Sequence, residues 1–279
     1  VVDIAAELKR PKIDAHCHVR AGREEELSSQ RLVEAGEMLG ITEYWCSRPI
    51  TARYGSLEEI RAGNDAVLAA MRRYPQRIRG LCFVVPGYYR EACAEIERCL
   101  DAGMIGVKLY HQYKINDPAV WPVIELCTQR RVPILVHAGY VTDPRTKAEQ
   151  PRLSHGADFA EVSQRFPETM FIMAHIGGGG DWEWTLRALR DSSPNVYVDV
   201  SGSNLDDGQV EFAVAELGAQ RVLFGTDGTM AGCVGKVIGA SLTEEQRHLI
   251  FWGNAERLLA AQGKQPLAKI ESGQEGVAG

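Results

Sequence analysis

No stretch of this 279-residue chain reaches about 18 consecutive apolar residues, so no membrane span is expected. Val1 to Arg10 lack the charged-then-apolar order of a secretion signal, and the expected location is cytoplasmic. Lys and Arg never cluster into a run that could track a phosphate backbone, and the net charge is −6, which sets nucleic acid aside as a partner. CxxC pairs are missing. The seven cysteines are odd in number and fall mostly within apolar stretches, which suits reduced, buried thiols. A glycine-rich dinucleotide turn after the first apolar run is also missing, because Arg20-Ala21-Gly22-Arg23 stands there instead. With 45% hydrophobic and 24% charged residues, the chain can bury a sizeable core.

What the sequence does contain is repetition. Short apolar runs recur at 12–19, 41–46, 78–85, 105–110, 133–137, 170–175, 196–200 and 221–227. Between them lie segments with apolar residues at helical spacing, at 57–73, 89–102, 119–130, 158–166 and 207–217. A last helix is expected over 242–260, with Ser241 and Glu244 placed as a capping box. Eight strands, near-continuously apolar and alternating with helices, predict an α/β fold with parallel strands, a single (β/α)8 TIM barrel. A doubly wound open sheet uses the same alternation; units of similar length favour the barrel. The expected organisation is one domain over 1–279, with 263–279 a flexible tail.

In such a barrel the chemistry collects where strands end. The first run carries Asp14-Ala15-His16-Cys17-His18, and strict alternation puts Asp14, His16 and His18 on one face. His137, His175 and Asp227 each close a later apolar run. Four of the seven histidines and one aspartate at equivalent strand positions suggest a divalent metal site, with Zn²⁺ the first choice and Mn²⁺, Fe²⁺ or Co²⁺ also suited. Lys108 sits among apolar neighbours in the fourth run, with Tyr110 and His111 at its mouth. The Gly177–Gly180 run is expected to give a sharp turn beside a crowded site.

The motifs Ile13-Asp14-Ala15-His16-Cys17-His18, 133–139 (PILVHAG), 171–178 (FIMAHIGG), 195–201 (NVYVDVS), 221–227 (RVLFGTD) and the ending 253–259 resemble the amidohydrolase superfamily, in its amidohydrolase-related branch. The resemblance spans Lys12 to about Leu259. It implies His16, His18 and His137 as metal ligands, Asp227 as a ligand or the base beside a metal-bound water, and His175 as a second base or oxyanion stabiliser. In dihydroorotase-like members a similar Lys-Leu-Tyr segment carries a carboxylated bridging lysine, so Lys108 would be a ligand only in a binuclear site; one metal is the expectation here. The implied activity is hydrolysis of an amide, lactone or ester in a small anionic substrate; the alternatives are a non-oxidative decarboxylase of the same branch, or a non-catalytic metal-binding protein. Homo-oligomerisation is implied by the family alone. Substrate contacts are expected from Tyr110, His111, Arg48, Tyr140, Arg152 and His155, and at least one of the loop arginines Arg20, Arg23, Arg48, Arg53, Arg145 and Arg152 is expected to face the pocket. Residues 138–156 read as a structureless lid. Gly228-Thr229-Met230 departs from the aromatic and Pro that the family often has after its last aspartate.

Overall fold

The computed structural model describes residues 2–20, 25–51, 55–176, 181–202 and 204–268. Eight parallel strands follow one another in chain order: β1 (Lys12–His18), β2 (Ile41–Ser47), β3 (Ile78–Phe83), β4 (Gly106–Leu109), β5 (Ile134–Val136), β6 (Phe171–Met173), β7 (Val196–Asp199) and β8 (Val222–Leu223). The ends of the sheet meet through backbone bonds, Ala15 N–H to Phe224 O at 2.9 Å and Asp227 N–H to His16 O at 2.8 Å. That closure makes a (β/α)8 barrel and removes the open-sheet alternative.

Both strand faces are apolar because each meets a different layer. Ile13, Ala15, Trp45, Leu81, Leu135, Ile172 and Leu223 form the inner cluster, while Val107, Leu109, Ile134, Val136, Phe171 and Val198 pack outward against helices. Those helices are α1 (Ile4–Lys9), α2 (Glu25–Glu37), α3 (Leu57–Arg73), α4 (Tyr89–Asp101), α5 (Trp121–Arg130), α6 (Pro144–Glu149), α7 (Gly156–Arg165), α8 (Trp182–Ala188), α9 (Gln209–Leu217), α10 (Met230–Gly239), α11 (Glu244–His248) and α12 (Asn254–Ala260). Among the described residues no helix is long and apolar enough to cross a membrane. All seven cysteines are free thiols.

Four local expectations need correction. Strict alternation in β1 fails: Asp14 pairs with Tyr44 and Cys17 with Cys46, so β1 holds one residue more than β2 over this stretch. This bulge resets the pleat. Asp14 therefore lies behind the site, accepting from Cys17 Sγ (2.7 Å), Thr226 Oγ1 (2.6 Å) and Thr226 N–H (2.9 Å). Next, the final helix starts later and is broken. Thr243 and Gln246 form the capping box, because the Ser241 N–H is already taken by Glu211 at 2.8 Å. A π turn over Leu249–Gly253 then separates α11 from α12, and its Ile250 carbonyl accepts from Phe224 N–H at 2.9 Å. Third, the 138–156 loop contains α6, capped by Asp143, and is pinned at its base by an Ala138–Ser154 bridge. Finally, the start of the expected tail is docked. Leu267 N–H donates to the buried Glu43 carboxylate at 2.6 Å, and Ala268 packs on the inner cluster at the end of the barrel away from the strand mouths. Gly177–Gly180, Arg23, Arg53 and residues 269–279 lie outside the described residues.

Candidate metal centre

Five strand ends bring their polar residues to one place. His16 and His18 come from β1, Lys108 from β4, His137 and His175 from just past β5 and β6, and Asp227 from just past β8. His18 Nε2 stands 2.9 Å from Asp227 Oδ1, while His16 Nε2 and His175 Nε2 are each 3.8 Å from that carboxylate. His137 Nδ1 is 2.9 Å from His175 Nε2, and Lys108 Nζ is 2.8 Å from His16 Nε2. One ligand atom each from His16, His175 and Asp227 lies within 4.8 Å of the others. His175, which the family resemblance puts beside the metal, is thus as well placed to hold it as His18 or His137.

Asp199, at the end of β7, organises this cluster, although sequence reasoning passed over it. Its Oδ1 accepts from the His175 N–H (2.9 Å), the Ser201 N–H (2.9 Å) and the Ser201 hydroxyl; its Oδ2 accepts from His16 Nδ1 (2.9 Å). Burial pushes this carboxyl up, but His16, His175 and Ser201 outweigh it and hold Asp199 well below the usual carboxylate range. Asp227 behaves alike: desolvation opposes, and His18, His16 and His175 prevail, keeping it ionised. Burial, joined by the Lys108 charge, pulls His16 down to about 3, and burial likewise lowers His137 and His175. Burial takes Lys108 down to about 8 against the pull of Asp227 and Asp199.

The backbone is strained at the same place. His175 (φ 70°), Ile176 (φ 22°) and Asp227 (φ 47°) are non-glycine residues at positive φ, each costing roughly 1–3 kcal/mol. The surroundings impose these conformations: Asp199 holds the His175 and Ile176 amides, and His16 O holds the Asp227 amide.

Tautomers test whether these residues fit a metal. The far nitrogen of each histidine faces an acceptor: His16 Nδ1 meets Asp199, His18 Nδ1 meets the Ser47 carbonyl at 3.2 Å, His137 Nε2 meets Gln150 Oε1 at 3.1 Å, and His175 Nδ1 meets Ser201 Oγ at 2.8 Å. The Ser201 proton is already committed to Asp199, so its oxygen accepts from His175. With the far nitrogens protonated, four lone pairs point inward beside an ionised carboxylate. His137 Nδ1 and His175 Nε2, 2.9 Å apart, then oppose two lone pairs and require a proton or cation between them. Imidazole nitrogen with carboxylate oxygen is the donor chemistry of a divalent ion such as zinc or manganese, and the partners behind the rings are what such sites use to orient their ligands.

A cavity of about 400 Å³ opens onto the centre, lined by His137, Gln150, His175, Ser201, Asn204 and Asp227. A second, of about 620 Å³, lies on the His18 side with Arg20, Arg31 and the 228–232 turn along its wall. Of the expected substrate residues, Tyr110 stacks on His137 with ring centroids 4.1 Å apart, and so touches the site. The others have their described contacts elsewhere. His111 is buried against Thr51 O (3.2 Å), and Arg152 lies over Tyr113 and donates to Gln112 O (3.4 Å). His155 caps α7, Tyr140 packs edge-on against His155, and the Arg48 stem runs along Gly63 of α3. Arg145 pairs with Glu149 on α6. Besides Asp199, sequence reasoning missed Ser201 and Gln150. Asp199 could have been found as the one charge inside the apolar 196–200 run; Gln150 left no such signal.

Residues 13–260 match the amidohydrolase family profile, and the chain belongs to that family. It is similar to the γ-resorcylate decarboxylase of Polaromonas sp. (strain JS666), with 24% identity over 248 residues covering 72% of this chain and 76% of that protein. Among solved structures it is similar to the dihydroxybenzoic acid decarboxylase of Polaromonas sp. JS666 with bound manganese and the inhibitor 2-nitroresorcinol: TM-score 0.71, 20% identity, 89% of this chain and 96% of that one. It is also similar to the 4-oxalomesaconate hydratase of Rhodopseudomonas palustris, with TM-score 0.69, 15% identity and coverage of 90% and 96%. These two likenesses speak for the fold.

Proposed function

We propose that this chain is a metal-dependent, non-oxidative decarboxylase of a small hydroxylated aromatic acid. The observation that carries the metal-dependent part is the convergence of inward imidazole nitrogens on Asp227 at the cavity wall. Decarboxylation is favoured over hydrolysis by the relatedness to γ-resorcylate decarboxylase across most of the barrel. A divalent ion, manganese or zinc, would be held by His16, His18, His137 and Asp227, and supplies positive charge that fixes an anionic substrate.

The remaining chemistry belongs to the chain. Losing carbon dioxide leaves an electron pair on the ring carbon, which must take a proton, so that Ar–CO₂⁻ and H⁺ become Ar–H and CO₂. Asp227 and His175, 3.8 Å apart at the cavity wall, are the groups that carry that proton, and Ser201 holds the far side of the His175 ring. Arg20 or Arg31, beside His18, supplies a cation for an anionic substituent. The Tyr110 ring, stacked on His137, gives an aromatic substrate an apolar edge.

The test is incubation of manganese- or zinc-loaded protein with 2,6-dihydroxybenzoate in deuterated water. Release of carbon dioxide with one deuterium on the vacated carbon supports the reading. Turnover of amides, lactones or esters without decarboxylation of any aryl acid would replace it with the hydrolase reading.

A further inference from the structure

Three of the four acceptors behind the histidines sit on strand ends: Ser47 on β2, Asp199 on β7 and Ser201 just beyond it. The fourth, Gln150, does not. It is the residue after α6, on the long loop between β5 and α7, and its amide N–H closes that helix on Thr146 O at 2.8 Å. The loop returns to the barrel at Ser154, where Gly139 N–H meets Ser154 O (2.8 Å) and Ser154 Oγ accepts from Ile115 N–H (2.9 Å). Between these anchors Val141, Thr146, Gln150 and Leu153 form one wall of the 400 Å³ cavity. From there the Gln150 side chain reaches His137 Nε2 at 3.1 Å.

We infer that Gln150 is a positioning residue for the metal ligand His137, and that through it closure of the 138–156 loop and metal binding are one linked event. The inference rests on the metal-centre reading above. The Gln150 carbonyl accepts the His137 Nε2 proton, which leaves Nδ1 as a lone pair facing His175. A loop lifted away removes that acceptor, and the ring is free to carry its proton on Nδ1, the nitrogen the metal requires. Linkage is reciprocal: whatever loop closure adds to metal affinity, bound metal adds to loop closure. The other three acceptors belong to the rigid barrel and give no such coupling.

The experiment measures two quantities on the full chain, neither of them turnover. One is the Mn²⁺ dissociation constant by equilibrium dialysis. The other is the rate at which trypsin cuts after Arg145 and Lys147, both exposed on α6, with and without Mn²⁺. In the wild type, Mn²⁺ slows cleavage at these two sites. Gln150→Leu weakens Mn²⁺ binding roughly tenfold, the lower end of what such outer partners contribute, and loses the protection. Gln150→Glu, which keeps an acceptor oxygen, restores both. Melting temperatures of the variants within a few degrees of wild type show that the comparison is between folded proteins.

If wild-type protein takes up no Mn²⁺, the metal-centre reading itself fails. If it binds Mn²⁺ but Gln150→Leu binds it as tightly and is protected as well, the metal centre stands and the role of Gln150 is refuted. Loss of affinity in Gln150→Leu without rescue by Gln150→Glu would also refute it, since the loss would then come from packing.

Discussion

Replacing Asp199 by Asn removes a single charge and leaves the shape almost unchanged. Four donors face that carboxylate: the His175 and Ser201 amides and the Ser201 hydroxyl at one oxygen, and His16 Nδ1 at the other. The Asn carbonyl takes the side with three donors, so its NH₂ turns to His16 Nδ1 across 2.9 Å, where two donors now oppose each other. The ring relieves this by moving its proton to Nε2, the nitrogen that faces the metal position. Metal affinity should fall about 10- to 100-fold, equivalent to roughly 1.4–2.7 kcal/mol. Losing a charge-assisted hydrogen bond should separately cost about 1.5–3 kcal/mol of stability in metal-free protein. Competition with a chromogenic chelator measures the first effect and chemical denaturation with chelator present the second. A variant that binds metal within twofold of wild type and unfolds at the same denaturant concentration would show that Asp199 does not set the His16 tautomer.

Further outcomes follow from other parts of the structure. A Cβ on Gly225 would lie 2.9 Å from His16 Cβ and 3.2 Å from Asp199 Cγ, so Gly225→Ala should lower stability by roughly 1–3 kcal/mol and weaken metal binding together; a normal melt with normal metal uptake would contradict this. Lys108 Nζ engages the His16 nitrogen that a metal would use, so Lys108→Met should bind one equivalent of metal more tightly than wild type, by elemental analysis and dialysis. A fall from two equivalents to one would instead mark Lys108 as a bridging ligand. Burial lowers the Lys12 ammonium from 10.5 to about 8, so the unfolded chain holds that proton more tightly. Stability contributed by this site therefore rises between about pH 8 and 10.5. Denaturation midpoints at both ends of that range should show the rise, and Lys12→Met should remove its share.

The barrel was legible because its signal is periodic: eight apolar runs at similar spacing are all strands, and their order around the sheet is their order in the chain. The candidate ligands were legible because each stands at or just past the end of an apolar run. What escaped was set by contacts distant in sequence. Asp199 meets His16 across 183 positions, and no local pattern records that pairing. Gln150 reaches His137 because α6 folds back over the mouth, within a segment whose polarity reads as plain loop. Thr243 caps α11 in place of Ser241 because Glu211, on another helix, takes the Ser241 amide. Two of the loop arginines have their partners elsewhere for a related reason. Arg145 and Arg152 have the right chemistry, yet each is claimed by a neighbour outside the cavities.

The bulge in β1 frees the centre from strict parity. From Asp14 to Cys17 β1 spends three steps where β2 spends two, and because Cys17 still pairs with Cys46, the strand beyond the bulge keeps the facing of its neighbour. Ala15 joins the inner cluster and Cys17 the outer one, so the residue that the bulge adds lets Ala15 and His16 both lie inside between the outward Asp14 and Cys17. The facing of His18 is thus set by its pairing with Ser47 rather than by the number of residues that precede it. A one-residue deletion at Ala15 should accordingly cost the seam bond to Phe224 O while leaving His18 turned to the site.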